Sequence, residues 1–505
     1  MKKLFFFFLL TICVLPLSAQ SVDKFLQKGA DYYYGNNGKE QDYVKAVKFF
    51  KKSAKKNPVG QYCLAKCYVN GEGVEKNYIE AAKWYRLSAD HGLADSQYEL
   101  ALLYNYGLGV ERDSIEAFQL FLLAAKQEHA AAQCEVGLCY ANADGVEENP
   151  QEAVKWMRLS AMQGYQEGQM CYGYCFYDGY GVEQNYAEAF KWFHYAALKH
   201  YPMGQYMVGK CYYHGEGVEQ DYKQAFKWYA LAAEQGLAGA QYNLGVCYDN
   251  GEGVEQDLNA AAKWYLAAAE QGHASAQYNI GVCYEYGDGV EQDYNKALTW
   301  YLKAADQNDS MTQYKIAVFY ALGRAVEQND TEAFRWFQLA ADQGLDRAQY
   351  YLGTYYYAGI GVKQDYAQAI RWFTLAAEQG NSDAVNDLGV CYLDGTGVEQ
   401  NYKEAVSFFI QSAKQMNMSG QYNMGYCHFH GYGIKQDYNQ AFQWFMLSAQ
   451  QGYDRAQYFV AICYYYGYGV ASDIEESLRW MKLAAQNDNE DAIEYLELLN
   501  QKLQE

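Results

Sequence analysis

A glycine-bounded turn that returns at a fixed interval constrains this chain more than any other feature. The stretch GEGVEQDY runs from Gly215 to Tyr222. Related stretches open at Gly71, Gly251, Gly287 and Gly395. The apolar residue after the second glycine falls at Val74, Val110, Val146, Val182, Val218, Val254, Val290, Val326, Val362, Val398, Ile434 and Val470, every interval being 36 residues. A fixed period in this range marks a stacked array of supersecondary units. It argues against a phosphate loop, which occurs once or twice in a chain and follows a strand.

Residues 239–272 show one unit: GAQYNLGVCYDNGEGVEQDLNAAAKWYLAAAEQG. Leu244, Cys247 and Tyr248 lie at helical spacing, as do Ala261, Trp264, Tyr265 and Ala268. The pattern predicts a helix from about Ala240 to Asp249 and a second from about Leu258 to Glu270. Gly251 supplies a left-handed stop to the first. Asp257 is the expected N-cap of the second, and every unit carries Asp or Asn there, from Asp42 and Asn77 to Asp437 and Asp473. Glu or Gln stands three residues on in most units, as at Glu80 and Glu152, which suggests a capping box. Only 4 prolines occur, and Pro150 sits at a first helical position, where it costs nothing.

The remaining columns imply a shared core. All 10 tryptophans occupy one column, including Trp84, Trp264, Trp300 and Trp480. A second column is always Gly or Ala, as at Gly137, Gly245, Gly281 and Ala317. The two are expected to interlock between units. Thirteen helix pairs are expected from residue 22 to residue 488. Residues 489–505, NEDAIEYLELLNQKLQE, form an expected capping helix. The fold class is therefore all-α: a solenoid of about thirteen 36-residue helix-turn-helix repeats with that cap.

These columns resemble the Sel-one-like repeat (SLR) family, a branch of the tetratricopeptide-like solenoids. Ala276, Ile280-Gly281, Tyr284, Gly287-Asp288-Gly289-Val290, Asp293, Ala297, Trp300-Tyr301 and Ala304-Ala305 match its pattern. The resemblance covers nearly all of the chain. It implies a right-handed α-solenoid and an adaptor that binds proteins or peptides. It implies no catalytic site. The sequence departs from the pattern at Ala143 and Ala325, each of which replaces a turn glycine.

Residues 1–19, within MKKLFFFFLLTICVLPLSAQ, have the Lys2-Lys3 start, short apolar run and small Ser18-Ala19 end of a secretory signal peptide. Leu10-Thr11-Ile12-Cys13 resembles a lipoprotein box only faintly, since Ile12 is bulky for its place. The expected location is periplasmic or secreted. No later stretch is apolar enough to span a bilayer. The net charge of −21 argues against nucleic acid and biases the surface toward cationic partners.

Candidate chemistry is sparse, and no catalytic residue, metal ligand or cofactor is expected. Ser53-x-x-Lys56 has the form of a penicillin-type motif but lacks its partner motifs. His428 and His430 lie two apart on a helix and diverge. Nine of 13 cysteines share a column that elsewhere holds Leu103, Phe319 and Tyr355, so that column reads as buried. Like residues of stacked units should lie about 8–10 Å apart, too far for a disulfide. Cys63, Cys67, Cys134, Cys171 and Cys175 form a smaller group in which one bridge stays open. One secreted branch of the SLR family is stapled by disulfides within repeats and includes weak penicillin binders. The resemblance thus leaves β-lactamase or penicillin-binding activity as the alternative function.

The variable positions are the candidate site. One first-helix column runs Glu99, Glu135, Cys171, Met207, Asn243, Asn279, Lys315, Tyr351, Asp387, Asn423, Phe459. By resemblance to tetratricopeptide-like arrays it faces the concave surface. Asn243, Asn279 and Asn423 offer amide hydrogen bonds to an extended peptide. Glu285, Tyr286 and Tyr351 complete the expected ligand-binding set. The function expected is an exported, non-catalytic scaffold that binds protein or peptide partners.

Overall fold

In the computed structural model, residues 23–306 and 309–502 are described, and side chains up to residue 497. The expected signal peptide lies outside them. The described residues form 27 helices and no strand. Within each unit they pair as helical hairpins, from Lys24–Tyr34 with Tyr43–Ser53 in the first to Asp454–Tyr466 with Ile474–Gln486 in the second. A final helix, Glu490–Lys502, follows, with Ala492 buried in the core of the last hairpin. The chain divides into two compact units between Asp257 and Leu258.

The periodic turn stops one helix and seats it on the preceding repeat. Gly215 has φ 74°, and its N–H donates to the Cys211 carbonyl. Gly217 serves a different purpose. A Cβ there would lie 2.1 Å from the Tyr186 carbonyl oxygen, at the start of the preceding repeat's second helix. Only a glycine admits that approach without moving backbone. Ala143 and Ala325 keep the left-handed conformation, with φ 58° and 61°. The left-handed conformation costs about 1 kcal/mol at each, and Ala325, which stands in the column of Gly217, cannot also keep the close backbone approach made there.

The expected N-caps form, but the capping box does not close. Asn77 accepts from the Glu80 N–H at 3.0 Å and Asn149 from the Glu152 N–H at 3.1 Å. The N-cap's own N–H is already taken: that of Asn77 donates to the Tyr68 carbonyl at 2.9 Å, and that of Asn149 to the Tyr140 carbonyl at 3.0 Å. The glutamates turn outward instead, Glu80 to Lys83 and Glu152 to Lys155.

Core packing corrects one expected pairing. The residue that fills the notch of the Gly/Ala column is the one after the tryptophan, and it comes from the same repeat. A Cβ on Gly173 would lie 2.6 Å from the Phe193 ring, and one on Gly281 would lie 2.6 Å from the Tyr301 ring. Most tryptophans, such as Trp84, Trp228 and Trp336, are only half-buried. Trp84 packs on a cluster at the junction between repeats, formed by Ala46, Val47 and Phe50 of the first hairpin with Leu64 and Cys67 of its own. Position along the helix explains the difference. The residue after each tryptophan points at the partner helix, while the tryptophan points at the groove.

A buried glutamine column ties consecutive repeats together. The Gln133 amide donates to the Ala125 carbonyl of the preceding repeat at 3.2 Å, and its oxygen accepts from Gln163 of its own repeat at 2.8 Å. Gln97, Gln349 and Gln457 repeat the arrangement. These four amides are buried and satisfied, so their bonds fix the stacking register, whereas Gln61 Oε1 and Gln169 Oε1 in the same column have no partner among the described residues.

Candidate functional site

First helices of neighbouring repeats approach one another most closely at Ala130–Asn142 against Gln166–Asp178 in the first unit and at Ser382–Asp394 against Met418–His430 in the second. Consecutive second helices do not approach as closely, so within each unit the first helices lie on the inner side of the stack. The variable column sits on these helices.

Its side chains meet the repeat before them in a rung offset by one residue. The Tyr314 and Tyr351 rings lie 5.9 Å apart, and Tyr422 meets Phe459 at 5.7 Å. The Asn423 amide donates to Asn386 Oδ1 at 2.8 Å. Tyr350 bonds to Asp387. Each pair is 37 residues apart. A 36-residue period aligns like with like, so a sequence reading by columns misses this offset. The missed partners are Tyr314, Tyr350, Asn386 and Tyr422.

In the first unit the column holds half-buried acids. Burial raises the Glu99 carboxyl, with Lys66 opposing and Asp95 adding to the shift. Burial and then Glu167 raise Glu135. Asn243, also in this unit, is half-buried and hydrogen-bonds the Tyr229 hydroxyl.

The second unit holds Asn279, Glu285, Tyr286, Tyr351 and Asn423. Asn279 is half-buried. Tyr286 is 58% exposed and Tyr351 is 39% exposed, so both offer ring surface. Tyr351 is braced flat against Phe337, with centroids 5.2 Å apart. Glu285 differs from its expected place at the surface, being only 2% exposed. Its Oε2 accepts from Tyr301 at 2.7 Å and Lys315 at 2.9 Å, and Arg324 lies 3.4 Å from Oε1. Lys315 also donates to the Tyr286 hydroxyl at 3.2 Å. Burial opposes the Lys315 charge, but its bonds to Glu285 and Tyr286 outweigh that and raise its pKa. Glu285 therefore anchors the lysine that holds Tyr286, and its carboxylate is covered by those partners.

The other sequence candidates have structural surroundings. Ser53 is buried and donates to the Asp23 carboxylate. His430 packs 4.3 Å from the Tyr426 ring. Among the described residues, no three His, Cys, Asp or Glu side chains gather as metal ligands. No described helix is long and apolar enough to cross a membrane.

The Sel1 repeat profile matches residues 29–58, 58–93, 94–129, 130–165, 167–201, 202–237, 238–273, 274–309, 310–345, 346–381, 382–415, 419–453 and 454–489. A protective antigen present in uropathogenic Escherichia coli strains, displaying an SLR fold, is 32% identical with a TM-score of 0.75. The match covers 83% of this chain and 94% of that one. A Sel1 repeat protein from Oxalobacter formigenes is 31% identical with a TM-score of 0.50, covering 61% of this chain and 89% of that one. No curated protein matches.

Proposed function

Because the chain belongs to the Sel1 repeat family, whose members are helical-repeat scaffolds that mediate protein interactions, we propose that it is an exported, non-catalytic scaffold holding a protein or peptide along the inner face of its first helices. One observation carries this reading. The framework columns repeat with little change, while the inner column passes from Glu99 and Glu135 to Asn243, Lys315, Tyr351 and Phe459. Stacking alone asks for no such variety. Rigid, braced rings such as Tyr351 lose little entropy on binding, and half-buried amides at Asn243, Asn279 and Asn423 suit peptide groups. The net charge of −21 favours a cationic partner. The apolar N-terminal segment supports export.

The test is capture of partners from an envelope fraction by the full chain and by variants with Asn243→Ala and Asn279→Ala. Loss of tenfold or more in affinity, about 1.4 kcal/mol, is expected for a partner held there. Unchanged capture, with the melting curve intact, removes those asparagines from the site.

A further inference from the structure

We propose that Cys134 and Cys171 are a dithiol pair that closes to a reversible disulfide between the first helices of consecutive repeats. Their sulfur atoms lie 3.8 Å apart, with both thiols free. They occupy the offset rung described above. At Cys134 the first helix carries a small residue where Tyr62, Tyr98 and Tyr206 stand in other repeats. Without that ring the helices Ala130–Asn142 and Gln166–Asp178 close up, bringing Cα atoms within 8 Å. Closing the 3.8 Å gap to a sulfur–sulfur bond of about 2.05 Å then requires rotation about the side-chain bonds.

The two thiols divide the work. Cys134 is only 3% exposed, whereas Cys171 is half-buried and meets an oxidant first. The Cys134 S–H donates to Cys171 Sγ, which favours the Cys171 thiolate, while burial and the carboxylates of Glu135 and Glu167 oppose it. The long cysteine column is not equipped for this. Burial pushes Cys139 and Cys175 up to about 12, and both are shielded.

The oxidant is a small disulfide or a thiol–disulfide exchange protein. Cys171 gives up its proton and attacks one sulfur of the oxidant. A protein–oxidant disulfide forms, and the first thiolate leaves and takes that proton. Cys134 then gives up its proton and attacks Cys171 Sγ. The intramolecular disulfide forms as the second thiolate leaves with the second proton. Two protein thiols lose two electrons, and the oxidant disulfide becomes two thiols. The product fixes the stacking of the two repeats and with it the inner surface they share.

The experiment uses the reduced full chain and 2-hydroxyethyl disulfide, chosen uncharged because acids flank the pair. After incubation, unfolding and maleimide labelling, non-reducing peptide mapping should find one linked peptide joining Cys134 to Cys171. Two fewer maleimides should be taken up, and dithiothreitol should reverse both changes. In Cys134→Ser, Cys171 should instead accumulate the hydroxyethyl adduct. The idea fails if wild type retains that adduct on Cys171, if neither cysteine reacts, or if either links to another cysteine. The wild-type map decides the matter even where the variant does not fold.

Discussion

The first helices of the two units hold acids in different surroundings. In the first, Glu99 and Glu135 stand half-buried with raised carboxyl pKa values. In the second, Glu285 is fully enclosed yet held by Tyr301, Lys315 and Arg324. Burial alone therefore does not say what an acid does. A carboxylate with three donors is part of the scaffold, while one lacking such neighbours raises the energy of the fold and is available to a partner.

The framework beneath that contrast should break equally in both units. Phe193 and Phe373 fill the glycine notches at Gly173 and Gly353, each ring 2.6 Å from where a Cβ would stand. Phe193→Ala and Phe373→Ala should each cost about 3–5 kcal/mol. Hydrogen exchange in the affected repeat measures the loss. Trp264→Ala should cost less, since Trp264 is half-buried. Unequal losses at the two phenylalanines would show that the units do not share one framework.

Glu285→Gln is expected to cost about 2–3 kcal/mol, because Lys315 loses its charged acceptor while the shape is kept. The denaturation midpoint of the full chain and exchange in residues 274–322 report it. A near-neutral result would place Glu285 with the first unit's acids.

The extent to which this could be read from sequence follows the same line. The period, the helix bounds, the turn glycines and the Asp/Asn caps are local and repeat identically, so the columns show them. The partner of each column does not appear that way. Tyr301 rather than Trp300 fills the notch at Gly281, because which residue faces the partner helix depends on helix rotation. Lys315 and Arg324 reach Glu285 from 30 and 39 residues away. The thiol rung at 37 residues crosses columns as well, and there the sequence singles out a small cysteine group containing Cys134 and Cys171 without fixing the pair. In the candidate site, Tyr286 and Tyr351 are exposed as their variability suggested, whereas Glu285 has the same kind of sequence signal and a structural place.

A titration separates the acids further. Burial lifts Asp387 to about 6, against the hydrogen bonds from Asn386 and Tyr350. The folded state therefore holds this proton more tightly than the unfolded chain, whose reference value is 3.8. Stability from this group is full below about pH 4 and is lost as pH rises through about 6. Asp387→Asn should thus stabilise by roughly 1–2 kcal/mol at pH 7 and change little at pH 4. Denaturant melts at the two pH values check the sign. Equal effects at both would mean that packing rather than charge governs this position.

The smallest effect is the one that bears most on binding. Glu135→Gln removes a charge that burial and Glu167 both disfavour. It should stabilise the first unit by about 0.5 kcal/mol at pH 7, a gain that vanishes in acid as the wild-type carboxyl takes up its proton. Glu99→Gln should do the same, reduced by the loss of attraction to Lys66. Both shifts are near the limit of a melting curve, so local hydrogen exchange in residues 94–142 is the better readout. Stabilisation combined with weaker capture of a lysine-rich peptide would mean that folding disfavours these charges and a cationic partner uses them. If either change destabilises the unit, the carboxylate has a structural donor, and the contrast with Glu285 disappears.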